Sequence, residues 1–157
     1  VSQFTIVVDG REQKGHGYTF DSWPVDTVRK NLSDMGSEGD YSIEGYEDQF
    51  AVERKSLGDL ATCVGAKRDE HFEPQVQRGV DRLDRYAIVV EAPRWEIEKG
   101  NYFSHVHPNS VLGTIDSWSR PSHYGVDFHL CDDKYKAEVK TYTLLAKWKD
   151  EADRGVL

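Results

Sequence analysis

The spacing of apolar and polar residues changes period several times along the chain. Residues 4–9 (FTIVVD) form a short β-branched run stopped by Gly10, which predicts a buried strand. Residues 11–22 read as loop. From Pro24, Val25, Val28, Leu32 and Met35 recur at helical spacing, predicting a helix that Gly36 ends. Between residues 40 and 55 the period becomes two. Tyr41, Ile43, Phe50 and Val52 flank a Gly45-Tyr46-Glu47-Asp48 turn, the pattern of an antiparallel hairpin. A turn centred between Tyr46 and Glu47 sets Asp40 opposite Glu53. Lys55 then falls on the same face and Arg54 on the other. Ser56 can cap a helix whose first turn carries Asp59.

Further along, Phe72, Val76, Val80 and Leu83 make an apolar helical stripe, with Arg78, Arg82 and Arg85 on another face. Residues 86–92 (YAIVVEA) predict a second buried strand, with Trp95 in a loop beyond it. His107-Pro108 opens a helix carrying Val111, Leu112, Ile115 and Trp118. Residues 124–130 (YGVDFHL) predict a strand. Asp132-Asp133 leads into a long last helix with Tyr135, Val139, Tyr142 and Leu145 or Ala146 inward. Strands alternating with helices predict an α/β layer architecture.

Composition narrows the class. The 157 residues suit one domain with a real core, and no repeat or linker divides them. No apolar run approaches the roughly 18 residues of a membrane span, and no signal pattern opens the chain. Cys63 and Cys131 have no metal or disulfide spacing, which predicts reduced thiols and an intracellular protein. The formal charge of −8 disfavours a nonspecific DNA coat but leaves room for a nucleic-acid enzyme with acidic metal ligands.

The hairpin carries the chemistry. Two carboxylates on neighbouring strands, Asp40 and Glu53, suit a hard ion such as Mg²⁺. Such an ion can polarise a phosphodiester and acidify a bound water, and the Lys55 ammonium can steady developing negative charge. Spacing alone favours a solvated charged face, worth about 0–1 kcal/mol per pair. Arg78, Arg82 and Arg85 alternate with Asp81 and Asp84, so surface pairing competes with phosphate contact. His105, His107, His123 and His129 fit no compact zinc motif.

Read together, VVDGRE (residues 7–12), Gly39-Asp40 and ERKSLGD (residues 53–59) resemble the XPF-type structure-specific endonucleases, whose signature is GD, a variable gap, then ERK-xxx-D. Phe72-Glu73-Pro74-Gln75 is similar to a further element of that family, with His71 where Arg is usual. HPNSVLGTIDSW is similar to a later helix, so the resemblance spans most of the chain. It implies a restriction-endonuclease-like core, a central mixed sheet flanked by helices on both faces. It implies Mg²⁺- or Mn²⁺-dependent cleavage of branched, flapped or junction DNA, in repair, recombination or replication. Carried over, Asp40 and Glu53 are the main metal ligands, with the Arg54 carbonyl completing the shell and Asp9 and Glu12 beside the metal. Lys55 positions the water, Arg54 organises the site or meets phosphate, and Asp59 braces it. Arg11, Arg54, Arg78 and Arg82 are the expected DNA contacts. The family also implies a homodimer, or a heterodimer with a related nuclease. Its location would be cytoplasmic in a prokaryotic or viral setting and nuclear in a eukaryote. The tandem helix-hairpin-helix module common in the family is not visible here, which fits one nuclease domain over 1–157. The competing reading is an inactive DNA-binding or dimerisation partner. Inactive partners tend to lose the carboxylates or the lysine, and both are present.

Overall fold

The computed structural model describes residues 3–12, 16–65 and 71–157. Six strands form one mixed sheet: β1 (Thr5–Asp9), β2 (Asp26–Lys30), β3 (Tyr41–Ile43), β4 (Phe50–Lys55), β5 (Arg85–Val90) and β6 (Asp127–Leu130), in the order β2-β1-β3-β4-β5-β6. β3 is antiparallel to both neighbours; the other pairs are parallel. Among the described residues the helices are α1 (Leu57–Cys63), α2 (Phe72–Arg82), α3 (Arg94–Lys99), α4 (Pro108–Ser119) and α5 (Lys134–Asp153).

Period-two geometry divides the sheet into two apolar faces. Ala51, Tyr86, Ile88 and Val90 pack against Leu60, Phe72, Val76, Ile97, Val111 and Trp118 on one side. Phe50, Val52, Ala87 and Val89 pack against Ala137, Leu145 and Trp148 of α5 on the other. Both faces are covered, as parallel strands require, and the expected core flanked by helices on two faces is present. No helix among the described residues is long and apolar enough to cross a membrane.

Four expectations are corrected. Residues 26–30 form an edge strand, not a helix; only Leu32–Met35 coil, as a short 3-10 turn that Gly36 closes. Pairing with β1, Thr5 opposite Asp26 through Asp9 opposite Lys30, overrides the helix-like spacing of Val25, Val28 and Leu32. Arg85 leaves the helical stripe because α2 ends at Arg82; it lies in β5 and pairs with Asp127 across to β6. Trp95 sits in α3 rather than a loop, 52% exposed beneath Lys99. The inward stripe of α5 is Ala137, Thr141, Leu145 and Trp148, while Tyr135 is exposed. Thr141 tolerates burial because its hydroxyl donates to the Ala137 carbonyl.

Candidate active site

The hairpin register holds as expected. Tyr41 faces Val52 and Ser42 faces Ala51, so Asp40 and Glu53 are the next facing pair. The Asp40 N–H donates to the Val52 carbonyl at 2.9 Å, and the Asp9 N–H donates to the Asp40 carbonyl at 2.8 Å. Three acidic residues thus lie in a row across β1, the start of β3, and β4. Gly39 makes the approach possible. Its φ of +88° suits glycine, and a Cβ there would stand 3.1 Å from the Val52 carbonyl oxygen and 3.3 Å from the Tyr86 ring.

Two adjoining clefts meet at this row. One, of about 450 Å³, is lined by Asp9, Arg11, Glu12, Glu38, Gly39, Asp40, Glu53, His71, Gln75 and Arg78. The other, of about 340 Å³, adds His16, Arg54, Lys55, Ser56 and Asp59 and shares Arg11, Glu12, Asp40 and Glu53. A larger hollow beside α4 is lined by none of the predicted site residues.

The Asp40 Oδ2 accepts the Arg54 N–H at 2.9 Å. Burial, the neighbouring Glu53 charge and a hydrogen bond to Glu53 push the Asp40 carboxyl well above the usual carboxylate range, against the pull of Arg54 N–H and the Lys55 charge. Glu53 is buried and accepts from the Gln75 amide of α2, which in turn lies 3.4 Å from the Tyr86 hydroxyl. Lys55 emerges on the same side, its Nζ 4.6 Å from the Phe72 ring centre and 3.9 Å from the Cys63 sulfur. Among the described residues it makes no ion pair within 4 Å, so its charge is available at the cleft. Ser56 caps α1 by accepting the Asp59 N–H at 3.2 Å, which sets the exposed Asp59 at the cleft mouth.

Arg54 turns to the opposite face, as alternation predicts. Its Nη1 donates to Glu12 at 3.3 Å and to the His16 carbonyl at 2.8 Å, and its Nε donates to Glu91 at 3.3 Å. The guanidinium stands 5.3 Å from the Tyr18 ring centre. Burial opposes its charge, but Glu91 and Glu12 outweigh it and raise its pKa. Burial and the Asp40 charge raise Glu12, while Arg54 and Tyr41 pull it back.

Not every expected residue faces the cleft in the same way. Asp9 is buried with both oxygens engaged: Oδ1 accepts the Leu32 N–H at 3.0 Å and Oδ2 accepts the Arg11 Nε–H at 2.9 Å. It ties the loop after β1 to the 3-10 turn. Arg78 and Arg82 both pair with the buried Glu38, at 3.1 and 3.4 Å, and only Arg78 lines the cleft. Among the described residues no three His, Cys, Asp or Glu side chains form a preformed metal cage. The Asp40–Glu53 pair does fit a hard divalent ion. Two close carboxylates whose charges conflict are relieved by a cation between hard oxygens.

Sequence reasoning missed Glu91, Glu38, Tyr18 and Tyr41. Glu91 carried a readable signal, since a lone acid ended an otherwise apolar run at residues 86–92. Tyr18 fell in a stretch read as loop, and no local pattern could bring it beside a residue 73 positions away.

Comparison with known proteins bears on the fold and the family. The chain superposes on XPF from Aeropyrum pernix with a TM-score of 0.70 at 22% identity, over 95% of this chain and 67% of that one. It superposes on XPF from Aeropyrum pernix in complex with DNA with a TM-score of 0.69 at 20% identity, over 94% of this chain and 66% of that one. The chain therefore spans about two thirds of those structures, and at this identity the likeness concerns the fold. No curated protein matches. The model of the ERCC4 domain matches residues 8–139. With that match over most of its length, the chain belongs to the ERCC4 domain family.

Proposed function

We propose that this chain is a divalent-metal-dependent DNA endonuclease acting on branched or flapped DNA. The carrying observation is the facing Asp40–Glu53 pair with Lys55 beside it, where two clefts meet. Family membership supports the reading, and one structure of similar fold is a DNA complex. Asp40 and Glu53 would hold Mg²⁺ or Mn²⁺, which supplies positive charge to the phosphate and acidity to a bound water. The chain's own residues do the rest. Lys55 lies on the same face, where its ammonium orients the nucleophile and steadies negative charge developing on the phosphate. Arg11 and Arg78 stand at the cleft wall as phosphate contacts for the scissile strand. Arg54 keeps Asp40 and Glu12 in place from beneath. The family resemblance extends the proposal to a dimer engaged in DNA repair or recombination.

The test compares wild type with Asp40→Asn and Lys55→Ala on flap, fork, junction and linear DNA with Mg²⁺, Mn²⁺ or EDTA. Wild type is expected to cut branched DNA with metal only, and both variants to lose cleavage while keeping the fold. A wild type that cuts none of these with either metal sinks the enzyme reading. Variants that cut as well as wild type sink the site assignment.

A further inference from the structure

The carboxylate of Glu91 lies outside both clefts yet is tied to their floor. It follows β5 directly, and its N–H donates to the Lys55 carbonyl at 2.9 Å, extending the ladder by one residue. Alternation puts its side chain on the face of Ala87 and Val89, at the end of an apolar row. There it is 8% exposed. A carboxylate so placed costs stability unless it is fully paired. Glu91 is paired twice. The Tyr18 hydroxyl donates to its Oε2 at 2.5 Å, and Arg54 donates through Nε at 3.3 Å and Nη2 at 3.5 Å.

These contacts close into a ring. Arg54 donates onward to Glu12, the Tyr41 hydroxyl donates to the same carboxylate at 3.2 Å, and that hydroxyl accepts the Tyr18 N–H at 2.8 Å. The ring returns to Glu91 through the Tyr18 hydroxyl. It links residues from the loop after β1, from β3 and β4, and from the end of β5. Arg54 is its only cation. One face of Arg54 thus carries the ring, while its main-chain N–H holds the Asp40 carboxylate on the cleft side.

We infer that Glu91 and Tyr18 are positioning residues for the proposed cleavage, holding Arg54, and through it Glu12 and Asp40, in one arrangement. The inference rests on the endonuclease reading above. Glu91 would touch neither DNA nor metal, and Arg54 would act as an internal brace rather than a phosphate contact. Removing such a supporting partner lowers turnover and leaves the binding surface intact.

The experiment is a double-mutant cycle on the full chain with Mn²⁺ and a flap substrate. Glu91→Gln keeps the shape and removes the charge; it is expected to lower kcat by about 10–100-fold with DNA Kd, measured in EDTA, within about twofold. In an Arg54→Ala background the same change is expected to cost less than about twofold, because the brace is already gone. Tyr18→Phe, which keeps the ring, is expected to lower kcat in the same direction and covers the case in which Glu91→Gln fails to fold. A Glu91→Gln enzyme within about twofold of wild type, or an equal loss with and without Arg54, overturns the inference. Should wild type cut no DNA, the cleavage reading fails on its own. The brace is then read from the Arg54 Nε–H resonance, expected to exchange slowly in wild type and to lose that protection in Glu91→Gln. An unchanged resonance overturns it.

Discussion

Gly79→Ala separates two opposing effects in one substitution. Gly79 lies inside α2, where alanine is favoured over glycine by about 1 kcal/mol. Its missing side chain is filled by the Tyr86 ring, however. A Cβ at Gly79 would sit 2.6 Å from Tyr86 Cδ2 and 2.7 Å from Cγ. Carbon pairs rest at about 3.5–4.0 Å, so the ring must retreat by roughly 1 Å. The retreat is obstructed, because the ring is buried and its Cε1 lies near Gly39, 3.3 Å from where a Cβ on that glycine would stand. Overpacking of this kind costs about 1–3 kcal/mol. Against the helix gain, the net is a loss of up to about 2 kcal/mol, or up to about 8 °C in Tm for a domain of this size. The push also runs toward Gly39-Asp40 and toward Gln75, which holds Glu53, so cleavage is expected to fall by more than the stability loss explains. Calorimetry and flap-cleavage rates on the same preparation read both. A Tm above wild type would refute the packing argument, since helix propensity alone predicts a rise of about 1 kcal/mol.

Three further outcomes follow from the site. In metal-free protein, the raised pKa of Asp40 means that the native state binds its proton more tightly than the unfolded chain. Its contribution to stability is therefore fully present below the ordinary value of 3.8 and is lost as pH rises through the native pKa. Asp40→Asn should match wild type in urea midpoint at low pH and exceed it increasingly toward neutrality; a constant difference across pH would count against the pairing with Glu53. Ser56→Ala should cost about 1 kcal/mol through loss of the α1 cap, read as a lower urea midpoint at unchanged slope. Arg78→Ala should weaken DNA binding similarly for all sequences and reduce the salt slope by about 1, with the fold kept because Arg82 still holds Glu38. An unchanged slope would remove Arg78 from the interface.

The parts of this fold that were legible are those where local chemistry and pairing agree. Residues 40–59 carried period-two alternation, a glycine turn and a capping serine, and together they fixed the facing of Asp40 and Glu53. Residues 24–35 misled because the edge strand is mostly polar: Val28 is the only apolar residue in β2, and its spacing from Val25 and Leu32 imitates a helix. Only the parallel partner, β1, decides that segment, and a partner strand is a nonlocal fact. α3 escaped notice because it is six residues long and buries Ile97 alone. The ring around Arg54 was beyond reach for the same reason as β2. Its members are paired by the sheet and not by neighbouring sequence.

The closed ring has a consequence for the order of folding. Asp40 and Arg54 are 14 residues apart and belong to one hairpin, whereas Tyr18 and Glu91 are 73 apart. The segment carrying Tyr18 is held from α5, through Lys134 to the His16 carbonyl and Glu138 to the Phe20 N–H, both across 118 residues. Contacts of that separation form late, because long loops must close before they stabilise anything. A chain still emerging from the ribosome can therefore bring its two carboxylates together while Arg54 is unanchored. On the proposed endonuclease reading, full turnover would wait until the last helix docks. Full catalytic ability would then lag the hairpin's own signal in a refolding experiment, and a chain cut short before α5 would cut DNA more slowly than the whole one.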